Sequence, residues 1–158
     1  MKPLPHDYDV DLIGGPQGYA TISAPGLPDL TTAPPCEYDG PGDAWSPEHL
    51  LLASVSSCFL FTFRAVARTL RAEFQEVDAH TSGIVSRVGG VTRFADIVIR
   101  TTVTAAPSAS VELLQRAIDK TTAHCLVSSS LATPVTVEAV IHAAGASGRV
   151  DERFKRTA

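Results

Sequence analysis

Residues 45–63, WSPEHLLLASVSSCFLFTF, decide how the chain is read. From Leu50 to Phe63 there is no charge, and the polar atoms belong to serines, one threonine and Cys58. Ser46 is a good N-cap, Pro47 suits the first helical position, and Glu48 stands in the first turn, where a carboxylate meets the positive end of the helix dipole. The pattern predicts a helix from Ser46 to about Arg71, changing at Arg64 from apolar all round to mixed. A helix that is apolar on every side is expected to be buried on every side, so this one belongs at the centre of the fold or of a subunit interface. Cys58 is then either a small apolar filler or a nucleophile held at a site.

Upstream, Tyr8, Val10 and Leu12 alternate with Asp7, Asp9 and Asp11, the period-2 signature of a half-buried strand. The turn GGPQG at 14–18 and the strand-like YATIS after it complete a hairpin. A short strand around Leu30–Thr32 precedes a loop rich in Pro, Gly and Asp. Downstream, two strand-like stretches, Glu76–Val88 and Val91–Thr104, flank Gly89-Gly90, a strong hairpin turn. A second helix starts near Ser108 or Ser110 and reaches about Cys125, its stripe Leu114, Ala117/Ile118, Thr121 and Cys125 placing Cys125 on the buried face. The segment LVSSSLA is a loop or short helix, and Pro134 leads into a last strand, Val135–His142. The order gives an α+β domain over 1–144 built on antiparallel hairpins, followed by a polar C-terminal tail, 145–158.

At 158 residues the chain is long enough to bury a real core. Its net charge of −4 and lack of a basic run argue against nucleic acid or an anionic membrane as partner. The N-terminal residues hold no signal-peptide core, and the uncharged run Leu50–Phe63 is shorter than the roughly 20 residues a bilayer span needs, so a cytoplasmic location is expected. Three cysteines in such a chain do not suggest a disulfide framework; redox or catalytic use is the better expectation. His6, His49, His80, His124 and His142 show no metal-ligand spacing, and no metal or cofactor is expected.

Cys58 and Cys125 both stand among hydroxyls: Ser54, Ser56, Ser57 and Thr62 near the first, Thr121, Thr122 and Ser128–Ser130 near the second. Hydroxyls can donate to a thiolate in a dry pocket, where a valine could not. Buried free cysteine is also a common small hydrophobe, so composition alone leaves both readings open. Cys36, in the proline-rich loop, is expected to be exposed. Ten residues separate Glu48 from Cys58, roughly 15 Å along an ideal helix and about 80° off its face, so the two cannot touch within one straight helix.

Ser46-Pro47-Glu48-His49-Leu50-Leu51, then Ala53 and Ser57-Cys58-Phe59, resembles the NPE-L-L-A-A-x-x-x-C-F central helix of the OsmC/Ohr proteins. Ala123-His124-Cys125 with Leu126-Val127-Ser128 is similar to the second half of that signature. The resemblance implies an OsmC-like fold with sheets packed around the central helix, and an intertwined homodimer. It also implies a peroxidase acting on organic (alkyl or lipid) hydroperoxides. Cys58 would attack the peroxide and become a sulfenic acid, Cys125 would resolve it as a disulfide, and a dithiol, of lipoyl type in the Ohr branch, would reduce that disulfide. Glu48 would join them as the motif carboxylate. The family's peroxidases pair that glutamate with an arginine that also stabilises the thiolate, yet residues 1–63 contain no arginine. Tyr19 occupies the Ohr-type position, and Arg64, Arg68, Arg71, Arg87, Arg93 or Arg100 could substitute from another direction. The departure motivates a rival expectation, a non-enzymatic member that binds a small apolar ligand or acts as a slow redox sensor.

Overall fold

The computed structural model describes residues 3–144; the expected tail at 145–158 lies outside them. The chain divides into two compact units, the first ending at Leu51 and the second starting at Leu52.

In the first unit, β1 (Asp11–Gly14), β2 (Ala20–Ser23) and β3 (Leu30–Thr32) form an antiparallel sheet in that order. The GGPQG turn closes the β1–β2 hairpin as its glycines predict, with Gly18 at φ 83°. The proline-rich loop makes one 3₁₀ turn at Cys36–Tyr38. It then folds back so tightly that a Cβ on Gly40 would strike the Pro34 carbonyl. Thr32 ties the loop's end down: its hydroxyl donates to the Trp45 carbonyl at 2.6 Å, and the Ala33 amide reaches the same oxygen at 3.1 Å. The strand expected over Tyr8–Ile13 is shorter and later, and every residue of β1 is exposed. Tyr8 and Val10 alternate as a half-buried strand does, but among the described residues nothing covers them.

The helix α1 (Pro47–Leu70) begins in the first unit and continues into the second. Ser46 caps it, fully buried, accepting from the His49 amide at 3.3 Å while its carbonyl takes the Leu50 amide. At the other end Arg71 adopts the left-handed conformation at φ 55°. The Ala72 and Arg71 amides close onto the Ala67 and Arg68 carbonyls, a Schellman stop with arginine where glycine is usual. A helix was expected here to about Arg71; burial on every side was expected too, and that differs. One stripe is buried, Val55, Phe59, Phe63 and Ala67, while Phe61 is 60% exposed beneath the Arg64 guanidinium. By length and composition α1 could cross a membrane, but its stripe packs as the core helix of a globular unit does.

The second unit is built on a sheet of order β4 (Phe74–Val88), β5 (Val91–Ala105), β6 (Val135–His142). β4 and β5 form the long antiparallel hairpin, turning at Gly89-Gly90 with φ 61° and 84°. β6 does not extend the antiparallel pattern: it pairs parallel to β5, Ile97 opposite Val135 through Thr104 opposite His142. A parallel return needs a crossover, and α2 (Val111–His124) with the single turn α3 (Leu126–Ser129) supplies it. The core forms two clusters along β5. Val55 and Phe59 of α1 pack with Ile97 and Ile99, and Phe63 and Ala67 pack with Val103, Leu114, Ala117 and Ile118.

Phe63 is fully buried, edge-on to Phe74 at 5.0 Å between ring centroids. Phe63→Ala should lower unfolding free energy by about 3–5 kcal/mol in denaturant titration, against under about 1.5 for Phe63→Leu. Equal losses for the two would show that this contact does not anchor α1.

Candidate thiol site

Cys58 is half-buried on α1, one residue before Phe59 of the core stripe. Cys125 is 1% exposed and terminates α2, as the stripe Leu114, Ala117/Ile118, Thr121 predicts. Its backbone leaves the helix at φ −67°, ψ 114°, and the same residue is the N-cap of α3. The break turns the first amides of α3 toward the helix they would otherwise bypass. The Val127 side chain packs against the Val55–Phe59 cluster, and its amide donates to Cys58 Sγ at 3.5 Å.

Burial pushes the Cys58 thiol up, but donors outweigh it: the Val127 amide, the Cys125 thiol, the Thr62 hydroxyl and the Leu126 amide hold it below the ordinary thiol value. Thr62 lies one turn on, its Oγ1 3.9 Å from the sulfur. Both cysteines, the hydroxyl and both amides belong to the second unit. Among the described residues, no cation joins the groups that act on this thiol. No disulfide joins the cysteines, and the Cys125 thiol is close enough to lower the Cys58 pKa, so the structure brings together two of the residues expected from sequence.

Five of the other hydroxyls are engaged away from the thiols. Thr121, Thr122 and Ser130 bond to carbonyls of their preceding turns, Ser57 to the Ser54 carbonyl, and Ser56 to Thr81 across to β4. Hydroxyls inside helices find the carbonyl three or four residues back before they find a distant sulfur, which is why their number around the two cysteines misleads. The donor that acts most on the sulfur is a main-chain amide, that of Val127, and no side-chain letter announces it. The signal available in the sequence was the break itself, where an apolar stripe ends at Cys125.

The expected substitutes for the arginine are placed elsewhere. Tyr19 donates to both carboxylate oxygens of Asp43 at 2.9 Å, and that bond, with smaller contributions from desolvation and the carboxylate's charge, raises its phenol above the usual value. Arg100 pairs with Glu138 at 2.9 Å and bonds Ser82, and Arg87 bonds the Gly90 carbonyl. Arg64 and Arg68 line a cleft with Glu73 and Phe74. His124, next to Cys125, bonds the Lys120 carbonyl at 2.8 Å on the exposed face. Cys36 is exposed in its loop, as expected. Glu48 lies in the first unit, lining an apolar pocket there.

The site is thus a half-buried thiol, held low by hydrogen-bond donors, beside a second thiol. Residues 40–140 match the family described as OsmC-like protein, and the chain belongs to that family. Over 100 residues it is 28% identical to YmaD, an uncharacterised protein of Bacillus subtilis, covering 61% of this chain and 67% of the relative. An OsmC-like protein of unknown function from Vibrio cholerae shares the fold with a TM-score of 0.80 at 16% identity, over 86% of this chain and 100% of that one. An organic hydroperoxide resistance protein from Elizabethkingia anophelis does so with a TM-score of 0.70 at 18% identity, over 90% and 99%. The organic hydroperoxide resistance protein OhrB of Bacillus subtilis gives 0.61 at 18%, over 87% and 98%. The expected α+β, OsmC-like fold is thus the one observed.

With Cys36 replaced by serine, the rate of Cys58 alkylation should rise with pH through a midpoint below the ordinary thiol value and level off above it. Thr62→Val and Leu126→Pro should each move that midpoint upward. Proline fits at 126 because it is the first position of α3 and the preceding ψ is already extended. An unshifted midpoint in both variants would refute the donor account.

Proposed function

We propose that the protein is a cysteine-based peroxidase that reduces organic hydroperoxides in defence against oxidative stress. The observation that carries this reading is the Cys58 thiol, kept low by the Val127 amide, the nearby Cys125 thiol, Thr62 and the Leu126 amide. The Cys58 thiolate attacks the terminal peroxide oxygen, the O–O bond breaks, and the departing alkoxide takes a proton to leave as an alcohol. Cys58 is then a sulfenic acid. The Cys125 sulfur attacks it, water is released, and a disulfide joins the two. A dithiol, of lipoyl type by family resemblance, returns both thiols by exchange. Cys125 beside Cys58 supports its role as resolving thiol, which would limit over-oxidation of Cys58. Glu48 enters this reading through the motif alone, as the carboxylate that the family couples to its thiol.

The same reading takes the working form as an intertwined homodimer in the cytoplasm. Support comes from α1, apolar around its circumference but buried along one stripe only, and from Tyr8, Val10 and Phe61, which are exposed.

Turnover of cumene hydroperoxide with dihydrolipoamide should fall by at least about a hundredfold in Cys58→Ser, the size of loss expected when a nucleophile is removed. Cys125→Ser should instead retain one turnover and then stall with Cys58 oxidised, seen by mass spectrometry, and Glu48→Gln should slow the first step. An active Cys58→Ser protein would overturn the assignment. Absence of turnover in the wild type, with saturable binding of an apolar ligand, would favour the non-enzymatic reading. For the assembly, sedimentation should give a dimer for the wild type and a smaller species for Phe61→Asp; a monomeric wild type removes the dimer from the proposal.

A further inference from the structure

The first unit holds a pocket of about 550 Å³, within the range of small-molecule sites. Leu12 and Ile22 of the sheet, Pro34 and Tyr38 of the loop and Leu50 of α1 form its walls, and Glu48 is the only charged side chain among its lining residues. Glu48 Oε2 is shut off from solvent and, among the described residues, has no hydrogen-bond donor. A carboxylate oxygen removed from water without a donor is costly, and such an orphan calls for a missing partner. Two lining residues carry a hydroxyl, Thr32 and Tyr38, and that of Thr32 is engaged with the Trp45 carbonyl. No arginine occurs before Arg64, and Lys2 is the one lysine of the first unit's sequence.

We infer that this pocket binds a small organic cation, an alkyl- or aryl-substituted ammonium or guanidinium, whose nitrogen donates to Glu48. A hydrocarbon would leave the carboxylate oxygen orphaned, and an anion would be repelled. A single carboxylate does not make a metal site, and the described residues contain no cluster that could. A protonated nitrogen supplies both the donor and the charge. The Tyr38 ring adds a π face that attracts a cation, and Leu12, Ile22 and Pro34 accept the apolar body. No thiol lines this pocket, but Glu48 also stands in the peroxidase reading as its motif carboxylate; binding is measured without peroxide or dithiol, so the failure of one is distinguishable from that of the other.

The test is calorimetric titration of the whole protein with hexylammonium and hexylguanidinium, using hexanol and hexanoate as size-matched controls. The two cations should bind saturably, one per chain, at least about tenfold tighter than hexanol, with hexanoate weaker still, as expected for a charge-assisted bond. Glu48→Gln should lose about tenfold for the cations and leave hexanol unchanged, and Ile22→Phe should weaken both by filling the pocket. Should either variant fail to fold, the wild-type series of four probes decides alone. Equal affinity for the cations and hexanol, or no binding at any protein concentration because a second copy fills the pocket, would overturn the inference.

Discussion

Everything in the second unit hangs on the packing of one stripe of α1 against β5. Val55 and Phe59 meet Ile97 and Ile99, and Phe63 and Ala67 meet Val103, before any polar group is considered. That contact fixes the rotation of α1 about its axis. Rotation in turn decides which way residue 58 faces, because 58 immediately precedes a buried position. Val127 joins the same apolar cluster from the other side of the chain break. Hydrophobic packing therefore does the positioning, and the sulfur–amide contact is its consequence.

The division of labour within the helix follows from its period. Val55, Phe59, Phe63 and Ala67 recur every four residues and take the core. Cys58 and Thr62 recur at the same interval one position earlier, on the border of the stripe, half in and half out. A thiol on the stripe itself would be sealed; one a further step away would be fully solvated. The border lets the sulfur accept hydrogen bonds from α3 while staying partly exposed.

Much of this was legible in the residues and some was not. The bounds of β3 and β6, the Gly89-Gly90 turn, the Ser46 cap and the stripe ending at Cys125 follow from periodicity and turn chemistry, which are local. The parallel pairing of β6 is not local: strand-like letters do not say which neighbour or direction a strand takes, and only the crossover through α2 decides it. Burial of Tyr8, Val10 and Phe61 was expected because a pattern records what the residues seek, whereas exposure depends on which surfaces are present to meet them. The cysteine pair was visible through its motif. Of the groups that tune it, Thr62 was visible as well, but the Val127 and Leu126 amides were not, since amides occur at every residue.

The tuning of Cys58 by main-chain donors has a consequence for how such a site can drift. A guanidinium can be lost by one substitution. The amides of Leu126 and Val127 persist through any replacement except proline, provided the bend at Cys125 is kept. Leu126 is 70% exposed, so selection has little hold on its side chain beyond the turn it helps to form. The reactivity of the sulfur is thereby written into the path of the backbone, and sequences can diverge widely around it while the chemistry of that one atom stays put.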